Sequence, residues 1–370
     1  MPAGMSETRA PVRVAILGTA GYVGGELCRL LVQHPRARLV RAASRSHAGQ
    51  RLDHVHRHLR GTTDLTFTSD GPETPGVTDG VDVVFLALTH KESLAAVSAL
   101  RARLDAPDGP VVIDMSGSFR LADPARYGEA YAHEHSAPDL LPSFVYALPE
   151  LAPAGALRGA RRLSSPGCFA TAAALCAAPL ARSGRVKGTI VLSGVTGASG
   201  SGAQAKDTTH FPMRDGNFKA YRVLAHQHEP EVQQTVDRFA ATGSVLRGAP
   251  LPVGAPILLT THSAPLTRGI YMTAAAELNA DGDGAHVLAE VRRTFEGARF
   301  VRLTDEPPEL KGLAGTNYAD LHVATRGRHV VVTCAMDNLV KGAAGQGVQA
   351  MNLALGLPED DGLGFAGMTP

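Results

Sequence analysis

The chain has 370 residues, 44% hydrophobic and 19% charged, enough apolar material for two cores and no signature of global disorder. Lys and Arg number 36 against 35 Asp and Glu, which argues against a surface built for polyanions, so no nucleic-acid partner is expected. Four cysteines make no disulfide scaffold, no apolar run is long enough to span a bilayer, and Met1–Arg9 carries no apolar leader. A cytoplasmic protein without a membrane partner is the expectation.

Val12–Leu17 is a short apolar run that reads as a buried parallel strand. It runs into G-T-A-G-Y-V-G, which sets Gly18, Gly21 and Gly24 in a turn before an amphipathic helix through Leu27, Leu30 and Leu31. Strand, glycine turn and helix together suit a dinucleotide pyrophosphate, because glycine admits the phosphates and the helix N-terminus supplies free N–H groups. Gly18, Thr19, Ala20, Gly21, Tyr22, Val23 and Gly24 are the expected cofactor contacts. The competing reading is a tight turn with no nucleotide. Arg38–Ala43 reads as the second strand and ends in Ser44, Arg45 and Ser46 with no acid. That chemistry suits a ribose 2′-phosphate and predicts NADP(H) over NAD, unless Arg45 belongs to a solvated loop.

D-H-V-H-R-H follows, with His54, His56 and His58. The interspersed arginines disfavour a cation, so a solvated face and no metal site are expected. Strand patterns at Val81–Leu88 and Pro110–Met115, with a helix near Lys91–Leu104, complete an alternation of strand and helix. This predicts an α/β Rossmann-type doubly wound parallel sheet.

After about Arg162 the pattern changes. Cys168–Ala181 is an Ala-rich helix, Lys187–Leu192 a strand, and Ser193–Gly202 (S-G-V-T-G-A-S-G-S-G) a glycine-serine loop. Strands at Pro256–Ser263, Ile270–Leu278 and His329–Met336 and a helix at His286–Phe295 predict an α+β second domain. The boundaries expected are 1–166 for the first domain, completed by 338–370, and 167–337 for the second. The last helix, Val340–Leu355, is apolar on one face and must pack on something. The tails Met1–Ala10 and Pro358–Pro370 are expected to be loosely ordered.

Cys168 follows Pro-Gly at a helix start, where a thiolate is favoured. Cys28, Cys176 and Cys334 lie in apolar runs and read as small core residues. A Cys168–Cys176 bridge is excluded by ~12 Å of helical rise. His226 and His228 share one face of an extended stretch before Pro230. A neutral imidazole there could move a proton, and two histidines alone do not make a zinc site.

Taken in order, G-T-A-G-Y-V-G-G-E-L, D-M-S-G-S-F-R-L, Y-A-L-P-E-L, S-P-G-C-F-A-T, the glycine-serine loop, H-Q-H-E-P-E-V and D-N-L-V-K-G-A-A-G-Q-G-V-Q-A-M-N-L resemble the N-acetyl-γ-glutamyl-phosphate reductase family, which is similar to aspartate-semialdehyde dehydrogenases. The match spans about residues 12–357. It implies NADPH-dependent reduction of an acyl phosphate to an aldehyde, with Cys168 as nucleophile and His226 as acid/base. It also implies that the final helix returns to the cofactor domain, with Asn338 near the nicotinamide, and that the protein is a homo-oligomer, a dimer or tetramer. Within that framework Arg120 is the first choice for the substrate phosphate, the alternative being a surface arginine paired with Asp123. Arg268 is the second choice. His228 and Ser199 complete the expected substrate contacts, and the glycine-serine loop is an expected oxyanion aid. Ser165, Phe169 and Gln227 depart from the commoner Asn, Tyr and Arg. The Tyr221-to-His226 spacing looks like the branch acting on carrier-protein-bound acyl phosphates. Basic residues Arg214, Lys219 and Arg222 at the mouth would suit such a carrier. A non-catalytic NADPH-sensing regulator would not need Cys168, His226 and Arg120 together, and no serine-hydrolase elbow is present.

Overall fold

The computed structural model describes residues 10–248 and 254–368; Met1–Arg9 of the amino-terminal tail, and Thr369 and Pro370, lie outside them. The first sheet contains β1 (Val12–Leu17), β2 (Ala37–Ala43), β3 (Val83–Leu86), β4 (Val111–Asp114), β5 (Val145–Tyr146) and β6 (Arg162–Ser164). All its pairings are parallel, in the order β2-β1-β3-β4-β6-β5. Val14, Ala15, Ile16, Val83, Phe85 and Ile113 are buried, as continuous apolar strands of a sheet covered on both faces must be.

The second sheet holds β7 (Val186–Thr196), β8 (Lys219–Tyr221), β9 (Ile257–Ser263), β10 (Ile270–Leu278), β11 (Val301–Leu303), β12 (Ala319–Arg326) and β13 (His329–Met336). It is mixed, in the order β11-β12-β13-β10-β7-β9-β8. One face packs on the Cys168–Arg182 helix, where Ala173, Ala177, Leu192, Met272 and Val332 share a core. Side chains alternate across strands, so the opposite face carries Val195, Leu258, Tyr271 and Val331, all part-buried, and Val191, 41% exposed. β7 is longer than its predicted strand: Ser193–Thr196 belong to it, and the glycine-serine loop begins at Gly197. Pairing with both β10 and β9 extends the ladder through residues whose composition alone suggests a loop.

The final helix returns to the first sheet. It opens with a π-helical turn, Val340–Ala344, and continues as α-helix over Gly345–Leu355. Val340, Ala344, Val348 and Met351 join the core that contains Val14 and Ile16. The carboxy-terminal tail departs from expectation. Leu363 is fully buried, Asp360 pairs with Arg299 at 2.8 Å, and Asp361 pairs with Arg36. Three anchors hold Asp360–Leu363 against the body where composition suggested a loose end.

Candidate active site

The cofactor turn starts at Gly18, whose φ of +85° only glycine adopts freely, while a Cβ at Gly24 would come within 2.4 Å of the Thr19 carbonyl. The Tyr22–Leu31 helix is capped by Gly21 with no side-chain bond and has no acid in its first turn. A Cβ at Gly21 would meet open space, so an anion can reach the free N–H groups there. This arrangement fits a dinucleotide pyrophosphate. Tyr22 and Gly25 line a cleft of about 830 Å³ whose other wall includes Ser199, Thr267 and Arg268. Behind the turn stands His56, a residue the sequence reading assigned to a solvated face. It is buried, its ring lies against Gly25, and its Nε2 is 2.9 Å from the Thr19 carbonyl. His58 lines the cleft. Among the described residues no group of three His, Cys, Asp or Glu side chains is arranged to hold a metal.

At the end of β2 the Ser44 and Ser46 hydroxyls lie 3.3 Å apart, and Ser46 is 2.8 Å from His47 Nδ1. Arg45 is exposed and pairs with Glu73. The hydroxyl pair is free of any acid, but the arginine is shared with one.

Cys168 is the first residue of its helix, behind the uncapped Gly167, and is partly exposed. The helix start was expected to favour the thiolate. Instead burial pushes the Cys168 thiol up to about 11, while Arg120 and the Phe169 amide pull it down and Glu231 pushes it up. Cys28, Cys176 and Cys334 are fully buried.

Arg120 is not a surface residue. Its Nε donates to the Ser165 carbonyl at 2.7 Å, its Nη2 to the Met115 carbonyl at 3.0 Å, and its Nη1 lies 3.6 Å from Glu231. Asp123 instead caps the Pro124–Tyr131 helix. Arg120 therefore sets the field around Cys168 while most of its donors serve the protein. Arg268 is more fully engaged, 3.3 Å from Glu26 and 3.0 Å from Asp337. It clasps the cofactor helix to the end of β13, and two carboxylates neutralise the charge a substrate phosphate would need. Arg214 turns inward to Ser263 and the Ala264 carbonyl, each at 2.5 Å.

His226 packs edge-on to Phe169, with ring centroids 5.4 Å apart, and to His228 at 4.9 Å. Burial, with Arg222 adding to it, brings His226 down to about 4. The His228 amide donates to His226 Nδ1 at 3.2 Å. The neutral imidazole then carries its hydrogen on Nε2 and acts as a donor. The His228 ring lies against Gly167, the residue before Cys168, and its buried Nδ1 has no partner. Burial, followed by His226 and Arg120, holds His228 well below the usual histidine range.

Glu231 was not singled out from sequence, although H-Q-H-E-P-E-V contains it. It is completely buried, and its Oε1 accepts from the Gly167 amide and the Tyr146 hydroxyl, both at 2.8 Å. Asn338 lies buried behind Ser199, with Asn338 Nδ2 donating to Ser199 at 3.0 Å and Asn338 Oδ1 accepting from the Gly269 amide at 2.7 Å.

Known proteins resemble this chain along most of its length. Residues 13–157 match the semialdehyde dehydrogenase NAD binding domain and residues 168–338 the semialdehyde dehydrogenase dimerisation domain. An N-acetyl-gamma-glutamyl-phosphate reductase of Symbiobacterium thermophilum is 41% identical, over 96% of this chain and 98% of that one. One of Pelotomaculum thermopropionicum is 38% identical, over 97% and 99%. Among solved structures, aspartate semialdehyde dehydrogenase II of Vibrio cholerae complexed with ASA superposes with a TM-score of 0.64 at 17% identity, covering 93% of this chain and 98% of that one. Aspartate semialdehyde dehydrogenase of Candida albicans with NADP gives 0.61 at 13% identity, covering 93% and 98%.

Proposed function

Because the chain belongs to the N-acetyl-γ-glutamyl-phosphate reductase family of semialdehyde dehydrogenases, we propose that it reduces an N-blocked γ-glutamyl phosphate to the semialdehyde and releases phosphate, in arginine-type amino-acid biosynthesis. The observation that carries the reading is Cys168 at a helix start beside two buried neutral histidines, in a chain whose glycine turn opens on a cleft of about 830 Å³.

The Gly18–Gly24 turn would hold NADPH, which would supply the hydride that reduces the acyl carbon to the aldehyde as the Cys168 sulfur departs. The remaining chemistry belongs to the chain. The Cys168 thiol gives up its proton, its sulfur attacks the acyl carbonyl, phosphate leaves, and a thioester splits one hard displacement into two easier steps. The sequence reading gave His226 both proton roles. The tautomer divides them: His226, whose Nδ1 is taken by the His228 amide, is assigned the donor role through its Nε2–H, and His228, whose ring lies against Gly167, is assigned the thiol proton. Arg120 steadies the thiolate by its field, and Glu231 holds the Gly167 amide so that the loop before Cys168 keeps its shape. The apolar face of the second sheet is assigned to a second copy of the chain, consistent with the match to a dimerisation domain.

A carrier-protein-bound acyl phosphate is the second reading, favoured by exposed Lys206, Lys219 and Arg222 with exposed Phe211 and Leu224 beside them. Running the reaction backwards with NADP and phosphate tests both. Turnover of N-acetyl- or N-succinylglutamate semialdehyde supports the first, and turnover only of the carrier-borne aldehyde supports the second.

A further inference from the structure

We propose that the Arg222 guanidinium receives the α-carboxylate of the acyl substrate at the rim of the Cys168 site, and that the turn Tyr221–His226 is shaped to present it. The assignment rests on the functional reading above and adds a contact to it. Arg222 and Leu224 both hold left-handed backbone, with φ of 47° and 55°, a conformation side chains with a Cβ avoid. The turn is nevertheless anchored. The Thr261 hydroxyl donates to the Tyr221 carbonyl at 2.9 Å, and the Ala225 amide donates to the Arg222 carbonyl at 3.0 Å. The guanidinium donates to the side-chain carbonyl of Gln227, the residue between the two histidines.

That leaves Arg222 exposed, with a neutral partner and no ion pair among the described residues. The other arginines of the region differ. Arg120 is tied to two carbonyls and Glu231, Arg268 to two carboxylates, and Arg214 to β9 and the residue after it. Gln227 stands between the two histidines, and the His228 ring lies against Gly167, so the Arg222 guanidinium sits on the segment that meets the nucleophile loop. The reacting carbonyl and its phosphate must sit at Cys168, so an exposed cation bonded to Gln227 is left for the far end of the substrate chain. That end carries the α-carboxylate. It is present whether the blocking group on nitrogen is acetyl, succinyl or a carrier protein, so the contact reads the part these substrates share. A planar guanidinium already oriented by Gln227 suits a carboxylate.

The test uses the reverse reaction and two aldehydes, N-acetylglutamate semialdehyde and 4-acetamidobutanal, which lacks only the α-carboxylate. Arg222→Gly removes the guanidinium at a backbone position glycine accepts readily, and Arg222→Lys keeps the charge. Arg222→Gly should raise the KM for the carboxylated aldehyde about tenfold, the low end for a charge-assisted bond at an exposed rim, and leave that for 4-acetamidobutanal unchanged. Arg222→Lys should recover part of the loss, with the KM for phosphate and NADP constant throughout. Equal effects on both aldehydes, a rise in the phosphate KM instead, or no change in Arg222→Gly would overturn the assignment while the functional reading stands. Absence of turnover by the unmodified protein on any blocked glutamate semialdehyde would overturn that reading and the assignment with it.

Discussion

The Glu231 carboxylate accepts the Gly167 amide at 2.8 Å, one residue before Cys168, from a position with no solvent exposure. A buried carboxylate needs compensation, and it finds it in the Tyr146 hydroxyl and the nearby Arg120. Histidine segment and nucleophile loop are thereby tied through one side chain. Glu231→Gln removes the charge that faces Arg120 and keeps one acceptor for Gly167. Since Glu231 pushes the thiol up, the variant should titrate Cys168 at lower pH. It should also lose stability by about 3 kcal/mol, the low end for breaking one side of a buried pair. Thiol alkylation rate against pH and a urea midpoint measure the two effects. An unchanged thiol titration would show that Glu231 acts only on the fold.

Cys168→Ser should abolish turnover and leave NADPH binding nearly intact, because the nucleophile is lost and the glycine turn is untouched. Iodoacetamide should modify Cys168 first, since it is partly exposed and Cys28, Cys176 and Cys334 are fully buried. With the thiol held up to about 11, the labelling rate should keep climbing well above pH 9. Peptide mapping after partial labelling identifies the site, and first modification at another cysteine would count against the assignment.

Legibility followed the range of the interaction. The glycine turn, the strands around it and the helix face at Val340–Met351 were readable, because local periodicity and turn chemistry encode them. β5 and β6 are two and three residues long, too short to carry a period. The carboxy-terminal end of β7 was hidden because Ser193 and Gly194 read as loop until β9 and β10 pair with them. The same limit held at the site. Cys168 and the two histidines announced themselves by type and spacing, whereas Glu231 and His56 work through contacts 64 and 37 residues away in sequence. Burial also runs against one local expectation, the thiol made more acidic at its helix start: it pushes Cys168 up to about 11 against the pull of Arg120 and the Phe169 amide.

Cofactor choice should favour NADPH, since Ser44 and Ser46 present hydroxyls at the end of β2 with no acid among them. Arg45→Asp should raise the NADPH KM selectively. The Arg45 pair with Glu73 is exposed and easily exchanged for a phosphate, so Glu73→Gln should lower that KM modestly or leave it unchanged. Equal kcat/KM for NADPH and NADH in the unmodified protein would remove the basis for this preference.

The division of labour between the histidines gives the last prediction. His226 has its Nδ1 engaged by the His228 amide, so its neutral ring offers a hydrogen and no lone pair. An amide side chain can imitate such a donor, so His226→Asn should retain several times more kcat than His226→Ala. A proton shuttle would leave the two variants equally impaired. His228, whose ring lies against Gly167, is the assigned base, and its replacement by Asn should lower kcat by roughly 10²–10⁴-fold, as for loss of a general base. The pH dependence follows from the same groups. Burial and Arg222 lower His226 to about 4, so it stays neutral at pH 7 and its acid limb in kcat/KM lies well below 6. Removing the Arg222 charge relieves the repulsion of the imidazolium and should move that limb upward. If instead His226→Asn and His226→Ala are equally inactive while His228→Asn keeps its kcat, His226 moves the proton and the two roles are exchanged.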